Sequence, residues 1–268
     1  MTHSIENARR CFELGLSLFE QKDFIGAKEK FSEALSIAPD RPSILINLSA
    51  TLIQLNQWAE CEKVCRKILS LESENCDALL NLSSALFHMD KAVEALQYLD
   101  KAILISPDLD PAWTNKGNIL QELRKLNQAD ECFNKALALN PLSQEALVGR
   151  GNLRNEKKEY QLALDDFNKV LEINPINSQA KWNKALSLLR LGNFIEGWKL
   201  YESRWEISGM SEHKQYSQIP LWLGKEPLKD KTILIYAEQG YGDTIQFCRY
   251  LAFLEKQGAT IIFEVQKS

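Results

Sequence analysis

The run 110-DPAWTNKGNILQELRKLNQADECFNKALALNPLS-143 decides the fold. Trp113, Gly117 and Leu120 fall three and four apart, on one face of a first helix, and Ala129, Phe133 and Ala136 do the same on a second. Pro141 ends the pattern, because proline lacks the amide hydrogen a helix needs and biases the residue before it away from helical backbone. The run is therefore a helix-turn-helix of 34 residues, and its pattern returns in both directions. Units fall at 8–41, 42–75, 76–109, 110–143, 144–177 and a looser 178–211. Units of this length stack into a solenoid, each burying its apolar faces on its neighbours.

The pattern is carried by Leu14, Gly15, Ala27, Phe31, Ala34 and Pro39 in the first unit, and by Leu147, Gly151, Ala163, Phe167 and Pro175 in the fifth. These residues resemble the tetratricopeptide repeat, and the resemblance covers about three quarters of the chain. It implies a mainly α fold: a right-handed α-solenoid of about six repeats over residues 1–211, with the first helix of each unit lining a concave groove. The second unit departs most, with Cys61, Cys65 and Ile68 for the usual Ala, aromatic and Ala, and Ser73 for Pro.

Bulk properties narrow the function. Of the 268 residues, 45% are hydrophobic and 25% charged, and the formal net charge is -4 with both signs interspersed. No basic stripe marks a nucleic-acid partner. No run is long enough to span a bilayer and the start has no secretory core, so a cytoplasmic protein without a membrane partner is expected. The cysteines at 11, 61, 65, 76, 132 and 248 show no paired framework. Cys61 and Cys65 sit four apart on one helix but occupy packing positions, and His3, His88 and His213 are scattered, so no metal site is expected.

Asn47, Asn81 and Asn115 recur at the repeat period, and Asn183 follows two steps later. Their places are taken by Glu13 in the first unit and Gly149 in the fifth. An amide offers two donors and an acceptor, so it can pair with both backbone groups of an extended peptide. Such a row is similar to the asparagine ladder in the repeat domain of the eukaryotic O-linked N-acetylglucosamine transferase, which cradles protein substrates. The alternative is that each amide bonds a neighbouring helix and sets the pitch. Two further rows, Phe19, Ile53, Phe87 and Phe12, Ile46, Leu80, give the amino-terminal half of the groove an apolar stripe, which serves either a partner or packing between repeats. Further on these rows become Gln121, Asn155 and Thr114, Val148, so the middle of the groove is expected to be polar. A protein or peptide partner is thus expected in the groove, with Asn47, Asn81, Asn115, Asn183, Phe19, Ile53 and Phe87 as its contacts.

The pattern changes class near the carboxyl end. Aromatic residues at 198, 201 and 205 share a helical face, His213–Gly224 has no period, and residues 212–230 read as a linker. Residues 231–268 read as one βαβ unit of an incomplete Rossmann-like domain: strand Thr232–Tyr236, a turn holding Gly240, Gly242 and Asp243, a helix over 244–257, and strand Thr260–Val265. A Gly-x-Gly turn before a helix suits phosphate. Trp198–Trp205, Pro220-Leu221-Trp222 and Glu238–Phe247 together resemble the junction in bacterial proteins that fuse tetratricopeptide repeats to a two-domain glycosyltransferase of the heptosyltransferase type. That resemblance implies Asp243, which follows Gly242, as a general base, and sugar-nucleotide binding only in a complete enzyme; Gly240 and Gly242 are the phosphate-loop candidates of the turn itself. Such an enzyme needs two doubly wound domains, so this chain alone is expected to be inactive and to need no cofactor. Asp243 has the plain alternative role of capping the helix. A third reading is a self-associating scaffold, a homodimer joined along the open strand edge.

Overall fold

A computed structural model describes residues 2–207, 216, 218–238 and 240–266. Of the stretch expected to be irregular, His213, Lys214, Gln215 and Ser217 lie outside the described residues, as do Gln239 of the glycine turn and the side chain of His3. The chain divides into two compact units, 1–202 and 203–268.

The first unit is six helix pairs in sequence: α1 (Thr2–Glu20) and α2 (Phe24–Ile37), α3 (Pro42–Gln54) and α4 (Trp58–Leu71), α5 (Cys76–His88) and α6 (Ala92–Ile105), α7 (Asp110–Glu122) and α8 (Leu126–Leu139), α9 (Gln144–Glu156) and α10 (Tyr160–Ile173), α11 (Ser178–Arg190) and α12 (Phe194–Tyr201). The turn inside each pair depends on one residue with left-handed backbone. Lys22, Asn56, Asp90, Arg124, Lys158 and Gly192 hold φ between 56° and 81°. They stand one repeat apart, yet only the last is glycine, so side chain alone does not reveal the position.

Starts and stops follow local chemistry. The side chains of Asn75, Ser143 and Asn177 accept the amide hydrogens of Ala78, Ala146 and Ala180, capping α5, α9 and α11. Helices α3 and α7 have no such cap and instead carry Pro42 and Pro111 in their first turns, where the missing amide costs nothing. Four second helices end two residues before a proline: α2, α6, α8 and α10, before Pro39, Pro107, Pro141 and Pro175.

The core lies along the second helices. Ala27, Phe31 and Ala34, Cys61, Cys65 and Ile68, Ala95, Leu99 and Ala102, Ala129, Phe133 and Ala136, and Ala163, Phe167 and Val170 are all fully buried. Each buried Phe or Leu contributes about 1.5–3 kcal/mol relative to an exposed one. Opposite them the small first-helix residue matches in size. A β-carbon on Gly15, Gly117 or Gly151 would lie 2.6, 2.8 or 2.5 Å from the ring of Phe31, Phe133 or Phe167. Where the partner shrinks to Cys65 or Leu99, the small residue is Ser49 or Ser83. Helix α12 is shorter than the other second helices and gives way to a 3-10 turn over Glu202–Glu206.

In the second unit, β1 (Thr232–Tyr236) and β2 (Thr260–Glu264) pair in parallel, with Thr232 opposite Thr260 and Tyr236 opposite Glu264. The connecting helix differs from the expected single one. It starts earlier, as α13 (Tyr241–Phe247), because extended Gly240 acts as its cap residue and its carbonyl receives the amides of Asp243 and Thr244. A 3-10 turn over Cys248–Tyr250 then separates α13 from α14 (Leu251–Lys256). Neither helix buries a residue among those described, and Ile245, Phe247 and Phe253 are exposed. The two strands thus have less cover than parallel sheets ordinarily require.

Candidate protein-interaction face

Successive first helices touch one another, α1 with α3, α3 with α5, α5 with α7, α7 with α9 and α9 with α11, whereas second helices do not approach each other comparably. The first helices therefore line the inner, more crowded side of the array. Their side chains decide what that side can hold.

The four recurrent asparagines do not share one environment. Asn47 turns back on its own helix and donates to the Ser43 carbonyl at 2.8 Å. Asn81 donates to the Ser49 hydroxyl of the preceding unit at 2.9 Å. Asn183 is buried, donates to Asn152 Oδ1 at 2.7 Å and accepts from Gln179 at 3.0 Å. Helices α3 to α11 of the first-helix series hold seven asparagines in all: these three, Asn115 and Asn118 on α7, and Asn152 and Asn155 on α9. Asn155 accepts from Ser187 at 2.8 Å. Of these seven, all among the described residues, only Asn115 and Asn118 lack an intramolecular side-chain hydrogen bond, and both line one cavity.

That cavity, about 130 Å³, lies between α5 and α7 and is walled by Ser83, Ser84, Phe87, His88, Asn115, Asn118 and Ile119. Ser83 is buried with its hydroxyl donated to the Leu80 carbonyl. Ile119 is buried and Phe87 half-buried. The His88 ring stacks on Trp58, with centroids 4.1 Å apart and planes 13° from parallel. The gap in the asparagine row is explained here: a β-carbon on Gly149 would lie 2.5 Å from the Phe133 ring and 3.0 Å from Asn118 Oδ1.

The apolar rows serve the stack as well as the groove. Phe12, Phe19, Ile53, Leu80 and Phe87 are partly buried against the main core cluster, and Ile46 against Leu45, Ile68 and Ala78. The polar middle is cross-linked, Gln121 donating to Glu156 at 3.2 Å and Arg124 pairing with the same carboxylate.

Cys61 and Cys65 are buried with their sulfurs 3.8 Å apart. The Cys61 thiol also lies 3.5 Å from the Ser49 carbonyl, and the bond to Cys61, together with burial, pushes the Cys65 thiol above its ordinary range. Among the described residues no three His, Cys, Asp or Glu side chains gather as a metal-binding set.

One cluster escaped the sequence reading. Asp166, with 1% of its side chain exposed, accepts two bonds from Arg150, at 3.0 and 2.7 Å, and one from Arg154 at 2.6 Å. Its signal lay in the repeat register: the second unit has Leu48, Leu52 and Val64 where the fifth has Arg150, Arg154 and Asp166. Three apolar positions change together to two cations and an anion.

In the carboxyl-terminal unit, 203–268, Gly240 and Gly242 have open space where a β-carbon would stand, and Asp243 sits in the first turn of α13. Asp243 is not the cap, a place held by Gly240; its charge instead complements the helix dipole. Glu238, just past β1, receives Arg204 Nε at 2.9 Å and Nη2 at 3.0 Å, and the Arg204 guanidinium lies 4.4 Å over the Trp205 ring. No helix among the described residues is long and apolar enough to cross a membrane.

Stacked helix pairs with a first-helix inner face define an α-solenoid repeat protein. Tetratricopeptide repeat families match residues 18–86, 111–141 and 144–177. The chain is a tetratricopeptide repeat protein, of a class that generally mediates protein–protein interaction. Over 70 residues it is 40% identical to Protein FlbA of Caulobacter vibrioides, a match spanning 25% of this chain and 11% of FlbA. A thermophilic repeat protein of Thermus thermophilus superposes with TM-score 0.64 at 21% identity, over 68% of this chain and 99% of that one. The pilF protein of Pseudomonas aeruginosa gives 0.60 at 20%, over 77% and 94%, and a repeat protein of Parabacteroides merdae gives 0.56 at 19%, over 75% and 80%. At these identities the structural likeness concerns the fold.

Proposed function

We propose that the chain docks an extended segment of a protein partner along the face formed by its first helices, with α7 as the centre of contact. The observation that carries this reading is the pair of free amides, Asn115 and Asn118, on a face whose other first-helix asparagines from α3 onward are held within the protein. Half-buried Phe87 and Ile53 on one side and Gln121 on the other give the segment apolar and then polar surroundings. An amide without a partner inside the protein can exchange its water for a peptide backbone without first breaking an intramolecular bond. The test is Asn115→Ala with Asn118→Ala, assayed against peptides selected from a random library on the wild-type chain. A loss of affinity of about tenfold or more, with an unchanged melting curve, is expected from two hydrogen bonds of ordinary strength. Equal affinity would move the docking site elsewhere.

A second reading, sugar transfer by a protein that includes this chain, is supported by the parallel βαβ unit with Asp243 in the first turn after its first strand. Hydrolysis of a sugar nucleotide that disappears in Asp243→Asn is its test, and no turnover above background by the wild-type chain would count against activity in this chain.

A further inference from the structure

We propose that the cavity between α5 and α7 is a specificity pocket for one aliphatic side chain of the docked segment, valine- to leucine-sized; this rests on the docking reading above. Size comes first. The space of about 130 Å³ is well above the roughly 10–15 Å³ that holds a single water molecule. That admits a branched aliphatic side chain.

Chemistry comes second. Phe87 and Ile119 supply apolar walls, while Asn115 and Asn118 stand among the same lining residues with their amides unpaired. A peptide whose backbone is held by those amides delivers its side chain between α5 and α7. The free hydrogen-bonding capacity and the apolar hole are therefore two halves of one recognition element, one reading the main chain and the other the side chain.

Preorganisation comes third. His88 is pinned against Trp58 by a near-parallel stack at 4.1 Å. Ile119 is buried, and Phe87 is packed against the core. Gly149 leaves Asn118 its place, since any β-carbon there would crowd Oδ1 at 3.0 Å. Walls already fixed before binding lose little freedom when the ligand arrives.

The test uses the full chain and an array of random acetylated dodecapeptides. Wild-type binders are expected to share Val, Leu or Ile at one position, and replacing that residue by Gly should weaken binding about tenfold. Ser84→Phe, which fills the cavity, should abolish the positional preference while binders are still recovered. If that variant loses its helical melting transition, Ser84→Val narrows the same space and should shift the preference toward Ala. Binders without an aliphatic preference, or a preference unchanged by filling the cavity, would overturn the pocket while leaving the docking face standing. Recovery of no peptide at all would overturn both.

Discussion

Asn183 Nδ2 and Asn152 Oδ1 meet at 2.7 Å between successive first helices, so Asn183, an amide that looks like a ligand contact in the sequence, is bonded within the stack. Removing either leaves the other partly buried and unsatisfied, at a cost of about 1–3 kcal/mol. Asn183→Ala should therefore lower the urea midpoint, whereas Asn115→Ala should leave it where it is. Equal destabilisation by the two substitutions would mean that Asn115 is also structural.

The Gly151–Phe167 contact is a matched pair of sizes. A methyl group on Gly151 would meet the Phe167 ring at 2.5 Å. Gly151→Ala is expected to cost about 1–3 kcal/mol through overpacking. Combining Gly151→Ser with Phe167→Leu reproduces the Ser83–Leu99 pair of the third unit and should recover part of the loss. Thermal melts of the single and double variants measure both effects.

The Arg150–Asp166–Arg154 cluster separates charge from packing. Asp166→Asn leaves two largely buried guanidiniums facing each other, and breaking such a group by removing one partner costs about 3–5 kcal/mol. Restoring the second unit's set, Arg150→Leu, Arg154→Leu and Asp166→Val together, should be neutral or stabilising for the same reason. Chemical denaturation of the triple variant decides this; a loss as large as that of Asp166→Asn would show that the ions themselves hold the unit.

On the outer side, Glu62 pairs with Arg66 on its own helix and with Lys91 of the third repeat. The Arg66 hydrogen bond holds the Glu62 carboxyl below its ordinary value of 4.5. Because the folded value is the lower one, this stabilisation is fully present above pH 4.5 and fades as pH falls through the folded value. The difference in stability between wild type and Glu62→Gln should be constant from about pH 7 to about 5 and shrink below about 4.5. A difference that grew on acidification would have the opposite sign and refute the assignment.

The array was legible because its signals are redundant. Phe31, Phe133 and Phe167 with their facing glycines, and the prolines after α2, α6, α8 and α10, repeat in register. The left-handed turn residues were not legible, because Lys, Asn, Asp and Arg share one backbone conformation there without sharing a side chain. The asparagine row was legible as a row but not as a set of roles. Whether an amide is free depends on its neighbour, Ser49 for Asn81 and Asn152 for Asn183, and Asn118, which lies outside the row, was passed over. The start of α13 was missed because glycine spacing drew attention to a loop, while the cap position was decided by the extended backbone of Gly240.

The most direct measurement follows the side-chain amide resonances of the labelled chain while a selected peptide is added. If α7 is the centre of contact, the Nδ2 signals of Asn115 and Asn118 shift and gain protection from exchange, while those of Asn152 and Asn183 stay in place. Shifts centred on any other part of the chain, with Asn115 and Asn118 unmoved at saturation, would contradict the docking of a partner at these amides.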